Sequence, residues 1–176
     1  ARFRPTIKRL ALANPFRMLP PPVQAVLVAT CPLFSSEWFG QCTGNSDGRY
    51  RLARQFVRAD SDGGGANPLF DAAWYQNRYG FRGTAAQSLL HYWLVGDRLG
   101  LRPTPWFDAG FFRRSNRAPR IVGTALMLFL QRWRGHSHGH PLFDQAWYLE
   151  SYPDVRESGQ NPLLHFVLYG QQEGRQ

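Results

Sequence analysis

The sequence predicts an all-α fold: a tandem array of four helix-turn-helix repeats of about 36 residues, preceded by an irregular basic N-terminal arm. Three observations lead to this prediction. A motif returns four times at nearly constant spacing, each copy carries a helix-start signal, and each copy is followed by a second apolar run of helical length. One helix pair cannot bury its apolar face alone, so we expect neighbouring pairs to stack.

The motif consists of a proline, an apolar residue, a phenylalanine, a serine or aspartate and, three residues later, an aromatic pair. Its four copies occupy residues 32–39, 68–75, 105–112 and 141–148, and we call them copies 1 to 4. Their phenylalanines, Phe34, Phe70, Phe107 and Phe143, are separated by 36, 37 and 36 residues. Such regular spacing across unrelated intervening sequence indicates a structural repeat.

Each copy is typical of a helix N-terminus, because serine and aspartate side chains accept hydrogen bonds from the free amides of the first turn. Ser35 in copy 1 takes the place of Asp71, and a serine caps a helix but cannot act as a carboxylate base. We therefore interpret this position as a cap and not as a catalytic group. The motif positions predicted to be structural are Phe34, Trp38, Phe70, Asp71, Trp74, Phe107, Asp108, Phe111, Phe143, Asp144 and Trp147.

Second helices are predicted over the apolar runs 52–57, 89–95, 126–130 and 163–168. Asn161 and Pro162 form a cap and first-turn pair, Gly170 is expected to close the last helix, and residues 152–155 are expected to form a turn. The resulting divisions are an arm with a short helix (1–31), a degenerate first repeat (32–67) and repeats over 68–104, 105–140 and 141–176.

The fullest copy resembles a known bacterial repeat. It reads Phe143-Asp144-Gln145-Ala146-Trp147-Tyr148-Leu149, then Tyr152-Pro153-Asp154-Val155, Asn161-Pro162-Leu163-Leu164-His165-Phe166 and residues 170–175. It is similar to the short helical repeats attached to glycosyltransferases and related proteins of capsule, O-antigen and rhamnan synthesis. Residues 68–102 match next best; copy 3 lacks the tryptophan and copy 1 lacks the aspartate. The resemblance implies an accessory module in surface-polysaccharide biology and carries over no catalytic residue.

The charge distribution favours an acidic partner. The chain has 21 Lys and Arg against 12 Asp and Glu, and Lys8 is its only lysine. One cluster, Arg113, Arg114, Arg117 and Arg120, is the candidate site for an anion or partner; the alternative is a solvated face or ion pairs with acids of adjacent repeats such as Asp97. The basic arm is a second candidate, for peripheral contact with a membrane.

No catalytic, cofactor-binding or metal-binding residue is predicted. Asp60-Ser61-Asp62 has the spacing of a glycosyltransferase metal motif but follows no strand-helix alternation. The histidines His136, His138 and His140 alternate in a glycine-rich link, where solvation is the simpler interpretation, and His91 and His165 are interpreted as packing residues. Two cysteines, Cys31 and Cys42, are too few for a disulfide scaffold or a four-cysteine zinc site, and the sequence leaves their pairing open.

The predicted function is therefore a non-catalytic interaction module of bacterial surface-polysaccharide biosynthesis that binds a partner protein or an anionic polysaccharide. Two alternatives stay open: a fragment of a glycosyltransferase lacking its catalytic domain, and a basic structural subunit of a membrane-associated or nucleic-acid assembly. Nucleic acid is the less favoured partner. The expected location is the bacterial cytoplasm or the periphery of the inner membrane.

Overall fold

A computed structural model describes residues 13–59, 65–117, 123–135 and 138–175 of the chain. These residues form helices and connecting turns and contain no β-strand, only three isolated bridges within turns. The all-α prediction is confirmed. Within the same residues, no helix has both the length and the apolar character needed to cross a bilayer.

Ten α-helices follow one another along the described chain. They are α1 (Pro21–Thr30), α2 (Ser36–Thr43), α3 (Arg49–Arg58), α4 (Ala72–Tyr79), α5 (Ala85–His91), α6 (Ala109–Ser115), α7 (Ala125–Arg132), α8 (Gln145–Ser151), α9 (Pro153–Ser158) and α10 (Pro162–His165). Single turns of π-helix, Tyr92–Gly96 and Phe166–Gly170, extend α5 and α10, and a 3₁₀ turn, Trp133–Gly135, extends α7. Helix α1 packs against α3 and α5, so part of the expected arm belongs to the packed fold.

Each motif copy starts a helix, at α2, α4, α6 and α8. The Ser35 hydroxyl accepts a hydrogen bond from the Trp38 amide at 3.2 Å, and the Asp71 carboxylate accepts one from the Trp74 amide at 2.8 Å. Asp108 and Asp144 accept equivalent bonds from the third residue after them. The carboxylates of the motif thus accept hydrogen bonds from amides at helix N-termini that would otherwise have no partner, and this stabilises the helices.

Three aromatic rings meet behind each copy. Two come from the motif, and the third comes from the following apolar helix. The clusters are Phe34, Phe39 and Phe56; Phe70, Tyr75 and Tyr92; Phe107, Phe112 and Phe129; and Phe143, Tyr148 and Phe166, with ring centroids 5.2 to 6.0 Å apart. Tilted and edge-on rings at these separations stabilise a core beyond their buried area.

Within the aromatic pair of the motif, the second residue is the more buried one. Tyr75 and Tyr148 are fully buried, whereas Trp74 is half-buried and Trp147 is 47% exposed. The tryptophan therefore packs over the outside of the aromatic cluster, against Tyr79 or Tyr152. The Trp147 ring therefore lies at the edge of the core, because the period of the helix turns the following residue, Tyr148, inward.

Backbone hydrogen bonds connect each copy to the turn that opens the next. The amide of Ser35 donates to the Ala66 carbonyl at 2.9 Å, the amide of Asp71 to the Pro103 carbonyl at 3.1 Å, and the amide of Asp108 to the Gly139 carbonyl at 2.9 Å. The same residue that caps a helix with its side chain therefore binds the turn before the next copy with its main chain.

The last copy differs from expectation at two places. Residues 153–158 form the helix α9 and not a turn, since Pro153 suits the first position of a helix, where no amide donor is needed. The last helical turn ends at Gly170, but Gly170 does not have the left-handed conformation of a typical glycine C-cap. A Cβ there would lie 2.5 Å from the Tyr148 hydroxyl, which contacts His165 Nδ1 at 3.0 Å, so the residue is glycine because the hydroxyl needs the space.

Candidate functional site

The predicted Arg cluster divides between the interior and the surface. Arg113 is only 9% exposed, whereas Arg114 and Arg117 are exposed. Arg117 has a left-handed backbone with φ 48°, in the turn after α6. Arg120 lies outside the described residues. Only Arg114 and Arg117 of this cluster are shown facing solvent.

The buried member of the cluster forms an ion pair across the boundary between copies 2 and 3. Arg113 Nη2 lies 2.5 Å from Asp97 Oδ2 and donates to the Gly123 carbonyl at 3.0 Å. Asp97 also accepts a hydrogen bond from the Ala125 amide at 2.8 Å, and the Tyr92 hydroxyl donates to it at 3.4 Å. Burial, and then the charge of Asp97, raises the pKa of Tyr92. Such a buried, hydrogen-bonded ion pair is a structural element.

A second ion pair lies beside the cap of copy 3. Arg102 pairs with Asp108, whose other carboxylate oxygen caps α6. Burial alone would raise the pKa of Asp108, but hydrogen bonds from the Phe111 amide and Arg102 lower it below its usual value. Burial and the nearby Arg102 charge lower the pKa of His140, whose Nδ1 accepts a hydrogen bond from the Leu142 amide.

Sequence reasoning overlooked a row of arginines on α3. Arg51, Arg54 and Arg58 are exposed and follow one another at intervals of three and four residues, which places them on one face of the helix. Arg51 makes a 3.5 Å contact with Asp47, and such an exposed pair contributes little stability. The spacing in the sequence was the signal that could have identified this face.

The other acidic and histidine candidates form no cluster of potential metal ligands in the described part of the chain. Asp60, Asp62 and His136 lie outside it, and His138 is exposed. No three His, Cys, Asp or Glu side chains of the described residues come together as a metal site would require. Cys31 and Cys42 are both free thiols, and burial raises the pKa of Cys31 to about 12.

Grooves occur at two boundaries between consecutive copies. The groove between copies 1 and 2 has a volume of about 340 Å³ and a mainly apolar lining that includes Trp38 and Phe56, and Leu168 of the last repeat also borders it. The groove between copies 3 and 4 has a volume of about 390 Å³ and a mixed lining of charged, amide and apolar side chains. Both volumes lie within the usual range of small-molecule sites, ~300 to 1,000 Å³.

At the middle boundary the equivalent positions hold the ion pair. Asp97 follows Tyr92 of its aromatic cluster by five residues, as Arg134 follows Phe129, and Arg113 follows Phe107 by six, as Leu149 follows Phe143. Arg134 and Leu149 both line the groove between copies 3 and 4. The long arginine side chain and its carboxylate partner thus occupy the positions that line a groove one boundary later.

Comparisons with protein-family models, curated proteins and solved structures find no match to this chain. The exposed arginines and these grooves are accordingly the features that bear on function.

Proposed function

We propose that the four motif copies are units of a tandem helical array that serves as a non-catalytic binding module of bacterial surface-polysaccharide biosynthesis and holds an anionic glycan. The observation that carries the proposal is the excess of positive charge on the surface. The chain has 21 Lys and Arg against 12 Asp and Glu, and two of its acids, Asp97 and Asp108, are held in ion pairs with Arg113 and Arg102, so an excess of positive charge is left for the surface.

Support for the array comes from three features that recur at equivalent positions: the helix cap, the three-ring cluster and the backbone hydrogen bond to the turn that precedes the next copy. The cap and the ring cluster occur at all four copies, and the backbone bond occurs at the first three. In a stacked array each unit contacts mainly its neighbours, so these bonds are expected at every boundary.

Support for an anionic ligand comes from the surface arginines. Exposed examples occur on α3 and around the turn after α6, including Arg51, Arg54, Arg58, Arg114 and Arg117. Guanidinium groups bind carboxylates and phosphates through paired hydrogen bonds. A glycan bearing such groups would be attracted to this surface by charges that salt screens over about 8 to 10 Å.

Retention on a column of alginate, a polyuronate, tests this proposal. The wild-type chain should bind at low salt and elute as salt rises, and the double variant Arg114→Gln, Arg117→Gln should elute at clearly lower salt. The matched control is Arg78→Gln, Arg82→Gln, which removes the same two charges from exposed positions around the end of α4. Circular dichroism checks that both variants keep their helices.

Two results would contradict the proposal. A wild-type chain that passes through the column at low salt would show that it does not bind a polyuronate. Equal shifts of both double variants would show that retention follows net charge alone and does not depend on the surface of copy 3.

A further inference from the structure

We infer that the groove between copies 3 and 4 is a binding site for one acidic sugar residue, such as a uronate. This inference depends on the proposed function and specifies which part of the glycan is recognised and where. The groove is formed by the 3₁₀ turn that extends α7, by His138, by α8 with its cap Asp144, and by α9. Its lining includes Trp133, Arg134, Gln145, Leu149, Glu150 and Arg156.

An unsatisfied donor in this groove requires an acceptor. Gln145 is only 4% exposed, and its Nε2 has no hydrogen-bond partner among the described residues. A buried amide without a partner costs roughly 1 to 3 kcal/mol, so a protein seldom retains one without compensation. The equivalent residues of copies 2 and 3 are Ala72 and Ala109, which shows that the motif does not need an amide here.

The groove also offers a cation that is already held in place. Arg134 lies over the Trp133 ring, 5.0 Å from its centroid, and its Nη2 donates to the Gly159 carbonyl at 3.2 Å. A guanidinium group has five N–H donors, so others are left for a ligand. Arg156 supplies a second cation and Glu150 an acceptor, both exposed or partly exposed at the rim.

An acidic sugar matches this set of groups. Its ring hydroxyls can accept from Gln145 and donate to Glu150, its carboxylate can pair with Arg134 or Arg156, and its C–H face can pack on Leu149 and the tryptophan edge. A neutral sugar leaves the arginines unpaired, and a simple carboxylate leaves the amide and the apolar wall unused. The Asn116 side chain donates to the His138 carbonyl at 3.4 Å, which places the turn carrying Arg117 beside this groove, where a longer glycan would continue.

Sodium glucuronate is the probe, and glucose and acetate are the controls. In ¹⁵N NMR titrations of the full chain, glucuronate should shift the side-chain amide of Gln145 and the indole N–H of Trp133, and glucose and acetate should bind at least several-fold more weakly. Gln145→Ala should weaken glucuronate binding about three- to tenfold, the loss expected for one hydrogen bond. The control Gln41→Ala, at an exposed position of copy 1, should leave it unchanged.

A second variant closes the groove with the pair found one boundary earlier. Arg134→Asp with Leu149→Arg copies the arrangement of Asp97 and Arg113, and in a chain that keeps its helices it should abolish the Gln145 amide shift. Unchanged glucuronate affinity in Gln145→Ala, shifts confined to residues outside the groove, or tighter binding of an acidic peptide would each overturn the inference. Alginate retention that persists alongside such a result would leave the proposed function standing and remove only this site.

Discussion

The two boundaries on either side of copy 3 carry different side chains at equivalent positions. Between copies 2 and 3, Arg113 and Asp97 meet in a buried ion pair that a helix amide and a tyrosine hydroxyl complete. Between copies 3 and 4, the same positions hold Leu149 and Arg134, and a groove of about 390 Å³ remains. One fold thus has a buried ion pair at one boundary and a groove at another, and the side chains at these two positions differ between them.

This difference indicates which parts of the motif are free to change. The caps and ring clusters recur because every helix pair needs them, whereas the boundary positions vary between ionic, amide and apolar residues. In the proposed array, one boundary can therefore contribute stability while another is left available for the proposed ligand.

The largest expected effect comes from removing the ion pair between copies 2 and 3. Asp97→Ala leaves Arg113 buried without its carboxylate and should lower the free energy of unfolding by about 3 to 5 kcal/mol. Urea denaturation followed by tryptophan fluorescence measures this change. Arg98→Ala, at the exposed neighbouring position, is the control and should change stability by less than about 0.5 kcal/mol. A loss below about 1 kcal/mol for Asp97→Ala would mean that the pair does not hold the boundary.

The second effect compares two neighbouring rings beside the boundary between copies 3 and 4. Tyr148 is fully buried, so Tyr148→Ala should cost about 3 to 5 kcal/mol. Trp147 is 47% exposed, so Trp147→Ala should cost roughly half as much or less, about 1 to 2 kcal/mol. Thermal unfolding of both variants gives the order, and a greater loss for Trp147→Ala would contradict the assignment of the core.

The smallest effect concerns acid stability at Asp108. The folded state lowers the pKa of this carboxyl group below the usual ~3.9, so its contribution to stability is complete above about pH 4 and is lost as pH falls through the folded pKa. Asp108→Asn keeps an effective cap but removes the titration. The melting temperature of this variant should fall less steeply between pH 5 and 3 than that of the wild type. Parallel curves would show that Asp108 contributes nothing to acid unfolding.

The sequence predicted the features that depend on neighbouring residues. Ser35 and Asp71 were identifiable as caps because the bonds they form reach only three residues ahead. Asn161 and Pro162 at the start of α10 follow the same local logic.

Features that depend on distant residues were not predictable from spacing alone. The burial of Arg113 depends on Asp97, sixteen residues earlier in the chain, and on the way that two helix pairs approach each other. Asp97 was one of several acids that could have paired with the cluster. The burial of Gln145 could not be predicted from the sequence, because a glutamine at the first position of a helix is usually solvated.

The backbone hydrogen bonds of the N-cap residues affect the dynamics of the chain. The amide of an N-cap residue commonly faces water, and its proton would then exchange rapidly with solvent. Here the amides of Ser35, Asp71 and Asp108 each donate to a carbonyl in the turn just before the following copy. Their protons can exchange only when that turn separates from the start of the helix, so slow exchange at these three positions would report the opening of each turn contact separately from the fraying of any helix.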